Sequence, residues 1–198
     1  MLVPLKASAS GAIGTERQEV IKAVRRTEPD IKILSVERVQ NLSLWQTFVV
    51  KRQTIMQRER QLGHEEDMAH LERAWLFHGT SHDVVPKVCQ TGFNRSYAGK
   101  HATRYGQGAY FARDASYSTN PLYAKPNREK QCFLFAVRVA VGKFEKGDES
   151  MIVPPPRPEV QNLNYDSTVN NKETPSIFVT YHDAQAYPEY LITYQDTD

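Results

Sequence analysis

Cysteine is scarce in this sequence, since Cys89 and Cys132 are the two cysteines among 198 residues. Neither belongs to a Cys-x-x-Cys pair, and together they provide no disulfide framework of the kind that small secreted domains depend on. The sequence therefore excludes that class of protein. We expect two buried thiols in a protein of a reducing compartment, the cytoplasm or the nucleus.

Long apolar runs are also missing. No stretch reaches the roughly 18 apolar residues of a membrane-spanning helix, and Lys6 interrupts what would be the apolar centre of a signal peptide in "MLVPLKASASGAIG". We therefore predict neither a signal peptide nor a membrane span. Residues 1–14 are interpreted as a flexible lead-in, and residues 15–198 as a single domain.

A strong excess of one charge is absent as well. The 25 basic and 23 acidic residues leave a formal net charge of +2. A balance this close to zero does not indicate nucleic acid or a membrane surface as a partner. Affinity for a polyanion would have to come from a local site.

The helical segments that the sequence does contain are few and amphipathic. Apolar residues recur with helical spacing after Thr15, a candidate N-cap, and again in residues 42–60. In the second helix we expect Lys51, Arg52 and Arg58 to form a solvated outer face.

Strand-like segments are more numerous. The run "QCFLFAVRVAV" is apolar at both odd and even positions, which is typical of a strand in the middle of a sheet. Because strands and helices do not alternate regularly, the predicted fold class is α+β. The segments with strand character are 31–39, 73–77, 108–114, 131–141, 175–183 and 189–194.

Two common ligand motifs are incomplete. In "HEEDMAH" a zincin-like helix would need its second histidine at position 68, where the sequence has Met68, so we predict no metal site. In "YGQGAYFA" the third glycine of a G-x-G-x-x-G loop would stand at Phe111, and a strand follows where a helix is required. A Rossmann-type nucleotide site is therefore excluded.

Two motifs nevertheless point to a dinucleotide. "LFHGT" is followed by "YGQGAYFARDASYS", and the pair, continued by "GFNRSYAGK" and "PSIFVTYHDAQAYPEYLITY", resembles the catalytic domain of the poly(ADP-ribose) polymerase superfamily of diphtheria-toxin-like ADP-ribosyltransferases. The similarity extends over residues 30–194 and is strongest to the mono-ADP-ribosylating branch whose members often carry macrodomains. It implies a largely antiparallel, split β-sheet with flanking helices, NAD as substrate and no metal.

The resemblance assigns the first motif to the grip on NAD. His78 would bond a hydroxyl of the nicotinamide ribose, the bare backbone of Gly79 would pair with the nicotinamide carboxamide, and Thr80 would contact the adenosine ribose. Only a glycine lets a planar ring approach the backbone so closely.

The second motif would complete the nicotinamide pocket. By resemblance, Tyr110 lies beneath the nicotinamide ring, the hydroxyl of Ser118 bonds the same carboxamide, and Tyr123 stacks on the other face of the ring. Taken without the motif, each tyrosine would be read as an ordinary core or surface aromatic.

A basic loop would cover the rest of the dinucleotide. In "GFNRSYAGK" the resemblance suggests that Arg95, with Asn94 and Lys100, contacts the phosphates and that Tyr97 stacks on adenine. The alternative, a solvated basic loop, stays open at this stage.

One further position would decide the reaction. Polymer-forming members carry a glutamate as general base, and aligning "YHDAQA" places Ile177 at that position, which gives an H-Y-I set with His78 and Tyr110. Glu189 lies beyond that strand and is interpreted as a surface acid. Without a base we expect loss of chain elongation, whereas transfer to an anionic acceptor such as a carboxylate needs none.

The resemblance therefore implies transfer of a single ADP-ribose from NAD to protein Glu or Asp side chains, including those of the domain itself, with release of nicotinamide. Two alternatives remain at the level of the sequence: a module of the same fold that binds NAD or ADP-ribose without catalysis, and a hydrolase that transfers ADP-ribose to water.

Overall fold

The computed structural model describes residues 1–6, 12–95 and 103–195. Within this part of the chain a nine-stranded sheet forms the centre, with strand order β1-β2-β9-β5-β3-β4-β8-β7-β6. The parallel pair β6–β7 is the exception in an otherwise antiparallel sheet. The strands are β1 Leu2–Pro4, β2 Lys32–Val39, β3 Arg73–Thr80, β4 Ala109–Ala112, β5 Gln131–Val139, β6 Phe144–Lys146, β7 Ser167–Val169, β8 Ile177–Thr180 and β9 Ala186–Gln195.

The helices are few and lie around the sheet. They are α1 Ala12–Arg25, α2 Leu42–Gln61, α3 Val85–Thr91 and α4 Ala115–Ser118, with short 3-10 helices over Glu65–His70 and Asp183–Gln185. The predicted α+β class with a largely antiparallel sheet is confirmed. Among the described residues no helix is both long enough and apolar enough to cross a bilayer.

Strand β5 has the central position that its apolar run predicts. Side chains alternate between the two faces of a strand, so each face packs into a separate core cluster. Toward α3 point Phe133, Phe135, Val137 and Val139. Toward α1 point Cys132, Leu134 and Ala136. Both cysteines are free and buried, as expected.

Residues 1–6 differ from the prediction of a flexible lead-in over residues 1–14. Leu2 and Pro4 pair with Val39 and Glu37 of β2, and Leu5 is 5% exposed within the core. Helix α1 also begins at Ala12, so Thr15 lies inside the helix and is not its N-cap. The local sequence is polar around these few apolar residues, and the edge of the sheet supplies the order that the segment lacks by itself.

The charged face of α2 is also less solvated than predicted. Arg58 forms an ion pair with Asp166 at 2.5 Å, and Arg52 forms one with Glu72 at 3.0 Å. Both acids come from segments that are distant in sequence, which the helical pattern could not reveal. A third acid, Glu59, is completely buried on the same helix.

Candidate active site

The sheet opens between β3 and β4. These two strands share one residue pair, Phe77 with Ala112; beyond it β3 continues along β5, and β4 continues along β8. A cavity of about 540 Å³ occupies the gap and is lined from both strands and from α3 and α4. A second hollow, along the solvent side of α1, contains none of the predicted site residues.

Seven of the predicted residues line this cavity: His78, Gly79, Thr80, Asn94, Tyr110, Ser118 and Tyr123. They come from β3 and β4, from α4 and from the segments that follow α3 and α4, so the opening of the sheet is what brings them together. The structure thereby assembles the two sequence motifs around one space.

Gly79 is located where α4 approaches β3 most closely. A Cβ on this residue would lie 1.9 Å from the carbonyl oxygen of Ser118. Ser118 in turn donates its hydroxyl hydrogen to the carbonyl of Phe77 at 3.0 Å. The carbonyl of Phe77 therefore points toward α4 and away from β5. Peptide groups two residues apart point the same way in a strand, so those of Gly79 face away from β5 as well. Backbone packing alone therefore requires a glycine at this position.

The ring of His78 is held in one orientation. Its Nδ1 lies 2.8 Å from the carbonyl oxygen of Tyr110. Since a carbonyl only accepts hydrogen bonds, Nδ1 carries the hydrogen. The ring also packs edge-to-face on Phe93, with the centroids 5.0 Å apart, and lies at a tilt against Phe111. The imidazole is therefore positioned before any ligand binds.

Tyr110 links the cavity to the turn that precedes β4. Its hydroxyl accepts a hydrogen bond from the backbone N–H of Tyr105 at 2.9 Å and donates one to the carbonyl of Gly106 at 2.8 Å. Burial raises the pKa of Tyr110 to about 12. The hydroxyl therefore stays protonated at neutral pH, and the ring is anchored at the side of the cavity.

A second tyrosine accompanies Tyr123. Tyr117 and Tyr123 stack with centroids 5.1 Å apart and planes 23° apart, and their hydroxyl oxygens are 2.9 Å apart. Burial, together with this hydrogen bond, raises the pKa of Tyr117. Tyr117 was not among the predicted site residues, although its position next to Ser118 in "ASYS" was an available signal.

These features agree with the comparison with known families. The poly(ADP-ribose) polymerase catalytic domain matches residues 15–153 of the chain. The chain belongs to this family. The opening in the sheet, with the histidine on β3 and the tyrosine on β4, is therefore the candidate active site of a poly(ADP-ribose) polymerase catalytic domain.

Similar proteins carry related names. The chain is 40% identical over 181 residues to the Homo sapiens protein mono-ADP-ribosyltransferase PARP14, covering 91% of this chain and 10% of that protein. It is 39% identical over 179 residues to PARP12 of Mus musculus, covering 90% of the chain and 24% of the relative. For PARP10 of Mus musculus the identity is 39% over 182 residues, with 90% and 18% covered. The chain thus spans a quarter or less of the length of these relatives.

Ile177 of this polymerase-family domain does not line the cavity. It is 4% exposed on β8, directly opposite Ala112 of β4, and Ala112 is a lining residue. The three residues of the predicted H-Y-I set therefore lie on consecutive strands of the sheet, with Ile177 one strand removed from the cavity wall.

Glu189 is not the surface acid that the sequence suggested. It is only partly exposed, accepts a hydrogen bond from the indole N–H of Trp75, and forms an ion pair with Arg138 at 2.9 Å. Both partners are far away in sequence. Glu189 also lies outside the cavity lining, so it does not replace the missing glutamate.

The predicted phosphate and adenine contacts are only partly described. Tyr97 and Lys100 lie outside the described residues of the domain. Arg95 is exposed, its backbone N–H bonds Asp183 at 3.3 Å, and the neighbouring Asn94 lines the cavity. Their roles toward NAD remain predictions.

The described part of the domain contains no group of three or more histidine, cysteine or acidic side chains arranged to hold a metal ion. The cavity does contain charged residues that the sequence analysis did not single out, namely Asp83 and Lys87 near Thr80 and Lys125 near Tyr123.

Proposed function

We propose that this domain transfers a single ADP-ribose unit from NAD to a carboxylate of a protein acceptor and releases nicotinamide. The observation that supports this most is the convergence of His78, Gly79, Tyr110, Ser118 and Tyr123 on one cavity. Family membership supports the same reaction, and so do the relatives, which are named protein mono-ADP-ribosyltransferases.

Each group has a defined task in this proposal. The peptide groups of Gly79 and the hydroxyl oxygen of Ser118 fix the nicotinamide carboxamide, and the tyrosine rings cover the faces of the nicotinamide ring. His78 bonds a ribose hydroxyl from a ring that is already oriented. Binding of the leaving group in this way places the anomeric carbon at a fixed position for attack.

The reaction breaks the bond between the anomeric carbon and the nicotinamide nitrogen. The electron pair of that bond leaves with nicotinamide, which becomes neutral, while positive charge develops on the ribose. An acceptor carboxylate oxygen then forms the new bond to the anomeric carbon. The approaching anion also stabilises the developing positive charge, so the substrate supplies part of the electrostatic stabilisation.

The absence of a base at position 177 supports transfer of one unit. A sugar hydroxyl is protonated at neutral pH and needs a general base to attack, and the buried aliphatic side chain of Ile177 cannot accept a proton. A carboxylate acceptor is already an anion. We therefore place Glu and Asp side chains of other proteins, and of the domain itself, among the acceptors. The two isolated cysteines fit a reducing compartment, so we place the reaction in the cytoplasm or nucleus.

The test is incubation with isotopically labelled NAD and a carboxylate-bearing protein, followed by intact-mass measurement and quantification of released nicotinamide. We expect single additions, and a loss of at least about a hundredfold in His78→Ala because the ribose loses its positioning group. The control is His70→Ala, an exposed histidine outside the cavity, which should retain full activity.

Three outcomes would contradict the proposal. Saturable NAD binding without nicotinamide release would indicate a binding module. Free ADP-ribose formed faster than modified protein would indicate a hydrolase. Undiminished labelling by His78→Ala would mean that the site is assigned wrongly.

A further inference from the structure

The end of the cavity near α3 contains a fixed carboxylate. Asp83 lies in the turn between β3 and α3 and lines the cavity together with Thr80, Ser81 and Lys87. The hydroxyl of Ser81 donates a hydrogen bond to Asp83 Oδ1 at 2.6 Å. This bond is the main cause that lowers the pKa of Asp83, and the positive charge of Lys87 adds to it. The carboxylate is therefore ionised at neutral pH.

An anion at this place is unexpected in a cavity for NAD. The diphosphate of NAD is negatively charged, so a carboxylate facing it would weaken binding. Among the described residues that line the cavity, Asp83 is the one acid. A part of the substrate that carries no charge and donates hydrogen bonds suits it much better.

The adenosine ribose is such a part. Its two neighbouring hydroxyls are donors, and an ionised carboxylate offers two acceptor oxygens. Thr80, which by family resemblance contacts this ribose, is three residues before Asp83 and shares the same end of the cavity. Other dinucleotide-binding folds use an acid in the same chemical role toward the ribose 2′-hydroxyl of NAD.

We propose that Asp83 accepts hydrogen bonds from the hydroxyls of the adenosine ribose and thereby makes this domain select NAD against NADP. The inference rests on the proposed function, since it concerns the same substrate. A 2′-phosphate replaces one hydroxyl donor by a group with negative charge, which Asp83 repels. Discrimination of this kind needs a repulsive element as well as an attractive one.

Lys87 does not remove this discrimination. Its ammonium is a point charge on a flexible stem, one helical turn beyond Asp83 in α3. Such a group suits the diphosphate, which NAD and NADP share. In this proposal Lys87 contributes to affinity for both dinucleotides, and Asp83 distinguishes them.

The experiment measures kcat/KM for nicotinamide release, and in parallel the dissociation constant, with three compounds: NAD, NADP and NAD that lacks the adenosine 2′-hydroxyl. The test variant is Asp83→Asn, which keeps the shape and removes the charge. Asp148→Asn is a matched control. Asp148 is also an exposed acid, and it accepts a hydrogen bond at 2.5 Å from the hydroxyl of Ser150, two residues away, but it does not line the cavity.

We expect the unmodified domain to prefer NAD over NADP by about a hundredfold, and Asp83→Asn to reduce this preference by about tenfold or more. Loss of the 2′-hydroxyl should weaken binding to the unmodified domain by about tenfold and have little effect on Asp83→Asn, since the two changes remove the same hydrogen bond. Asp148→Asn should behave like the unmodified domain.

The inference would be overturned if the ratio of kcat/KM for NAD to kcat/KM for NADP were the same in Asp83→Asn as in the unmodified domain. It would also be overturned if loss of the 2′-hydroxyl weakened binding equally in both proteins. Either result would leave the proposed function intact. A domain that binds NAD but releases no nicotinamide would contradict the proposed function. The dissociation constants would then still decide the role of Asp83.

Discussion

At the scale of single residues, the site depends on close approaches that leave no room for change. Gly79 lies against the backbone of α4, and the hydroxyl of Ser118 in α4 donates a hydrogen bond to the carbonyl of Phe77 in β3. Tyr110 is held through both its hydroxyl and its position on β4. In the proposed reaction, preorganisation of this kind lets nicotinamide bind without rearrangement of the protein.

Replacement of Gly79 by alanine should disturb this contact. The added Cβ would lie 1.9 Å from the carbonyl oxygen of Ser118, so α4 must move or the fold must lose stability. We expect nicotinamide release to fall by about a hundredfold, because small displacements of a positioned substrate are that costly. Steady-state kinetics and thermal unfolding measure the two effects.

The control is Gly63→Ala. Gly63 has a positive φ of 80°, and a Cβ at this residue would have no atom within 4 Å. The variant therefore loses only the about 1–2 kcal/mol that a left-handed backbone conformation costs an alanine. It should lose some stability and keep its activity. Equal kinetics for both variants would show that α4 is not fixed against β3.

At the scale of elements, the separation of β3 from β4 creates the site. The strands share a single pair and then follow different neighbours, which leaves the cavity between them. The next strand, β8, contributes Ile177 behind Ala112 and not in the cavity wall. By the resemblance, this strand carries the general base in polymer-forming members, and here the matching residue is the aliphatic Ile177.

The variant Ile177→Glu tests this arrangement. We expect single ADP-ribose additions to persist, because a glutamate here enters a buried strand and the surface that guides a growing chain is not created with it. Burial of an unpaired carboxylate should also lower the free energy of unfolding by more than about 3 kcal/mol, since a charged group costs more than the roughly 1–3 kcal/mol of a neutral unsatisfied one. Intact-mass spectra and chemical denaturation measure these effects, with Ile177→Leu as the apolar control. Ladders of repeated units in Ile177→Glu would contradict the expectation.

At the scale of the whole molecule, a buried ionic cluster joins segments that are distant in the chain. Glu59 of α2 is completely buried and binds Arg157 at 2.6 Å and His64 at 2.9 Å. Arg58, beside it, binds Asp166. The cluster thereby fastens α2 to the proline-rich segment that leads to β7.

This cluster should govern stability in acid. Burial by itself opposes ionisation of Glu59, but hydrogen bonds from Arg157, His64 and Arg58 outweigh it and lower the pKa of Glu59 from 4.5 to about 2. A lowered folded-state pKa contributes stability above the unfolded value, and this contribution is lost as the pH falls from about 4.5 toward 2. Denaturation at pH 7, 5 and 3 should show it.

Glu59→Gln should lower the free energy of unfolding at pH 7 by about 3–5 kcal/mol, since Arg157 would be left buried without its main counter-charge, and should flatten the loss between pH 5 and 3. Glu159→Gln, which removes the half-exposed partner of Arg157, is the control and should cost under about 1 kcal/mol. If Glu59→Gln does not fold, the double variant with Arg157→Met removes both charges and should restore folding. A pH profile that is identical in both single variants would exclude this role of Glu59.

Much of the fold and part of the candidate site could be predicted from the sequence, because the signals for them are local. The apolar run of β5, the α+β class, and the motifs around His78 and Tyr110 each lie within a few consecutive residues, and strand and turn signals act over that distance. Tyr117 has no distinctive pattern of its own, and the one signal for it was its position next to Ser118. Glu189 was misread since its partner Trp75 is 114 residues away.

The sequence by itself determined which residues we predict to bind a dinucleotide, because the two motifs that resemble the family each lie within a few consecutive residues. Only the tertiary structure decided that seven of them share one cavity and that Ile177 lies behind its wall. It also decided that Glu59 is buried with Arg157, 98 positions away in the chain. The physical reason is that these relations depend on the order of strands in the sheet, which long-range packing selects.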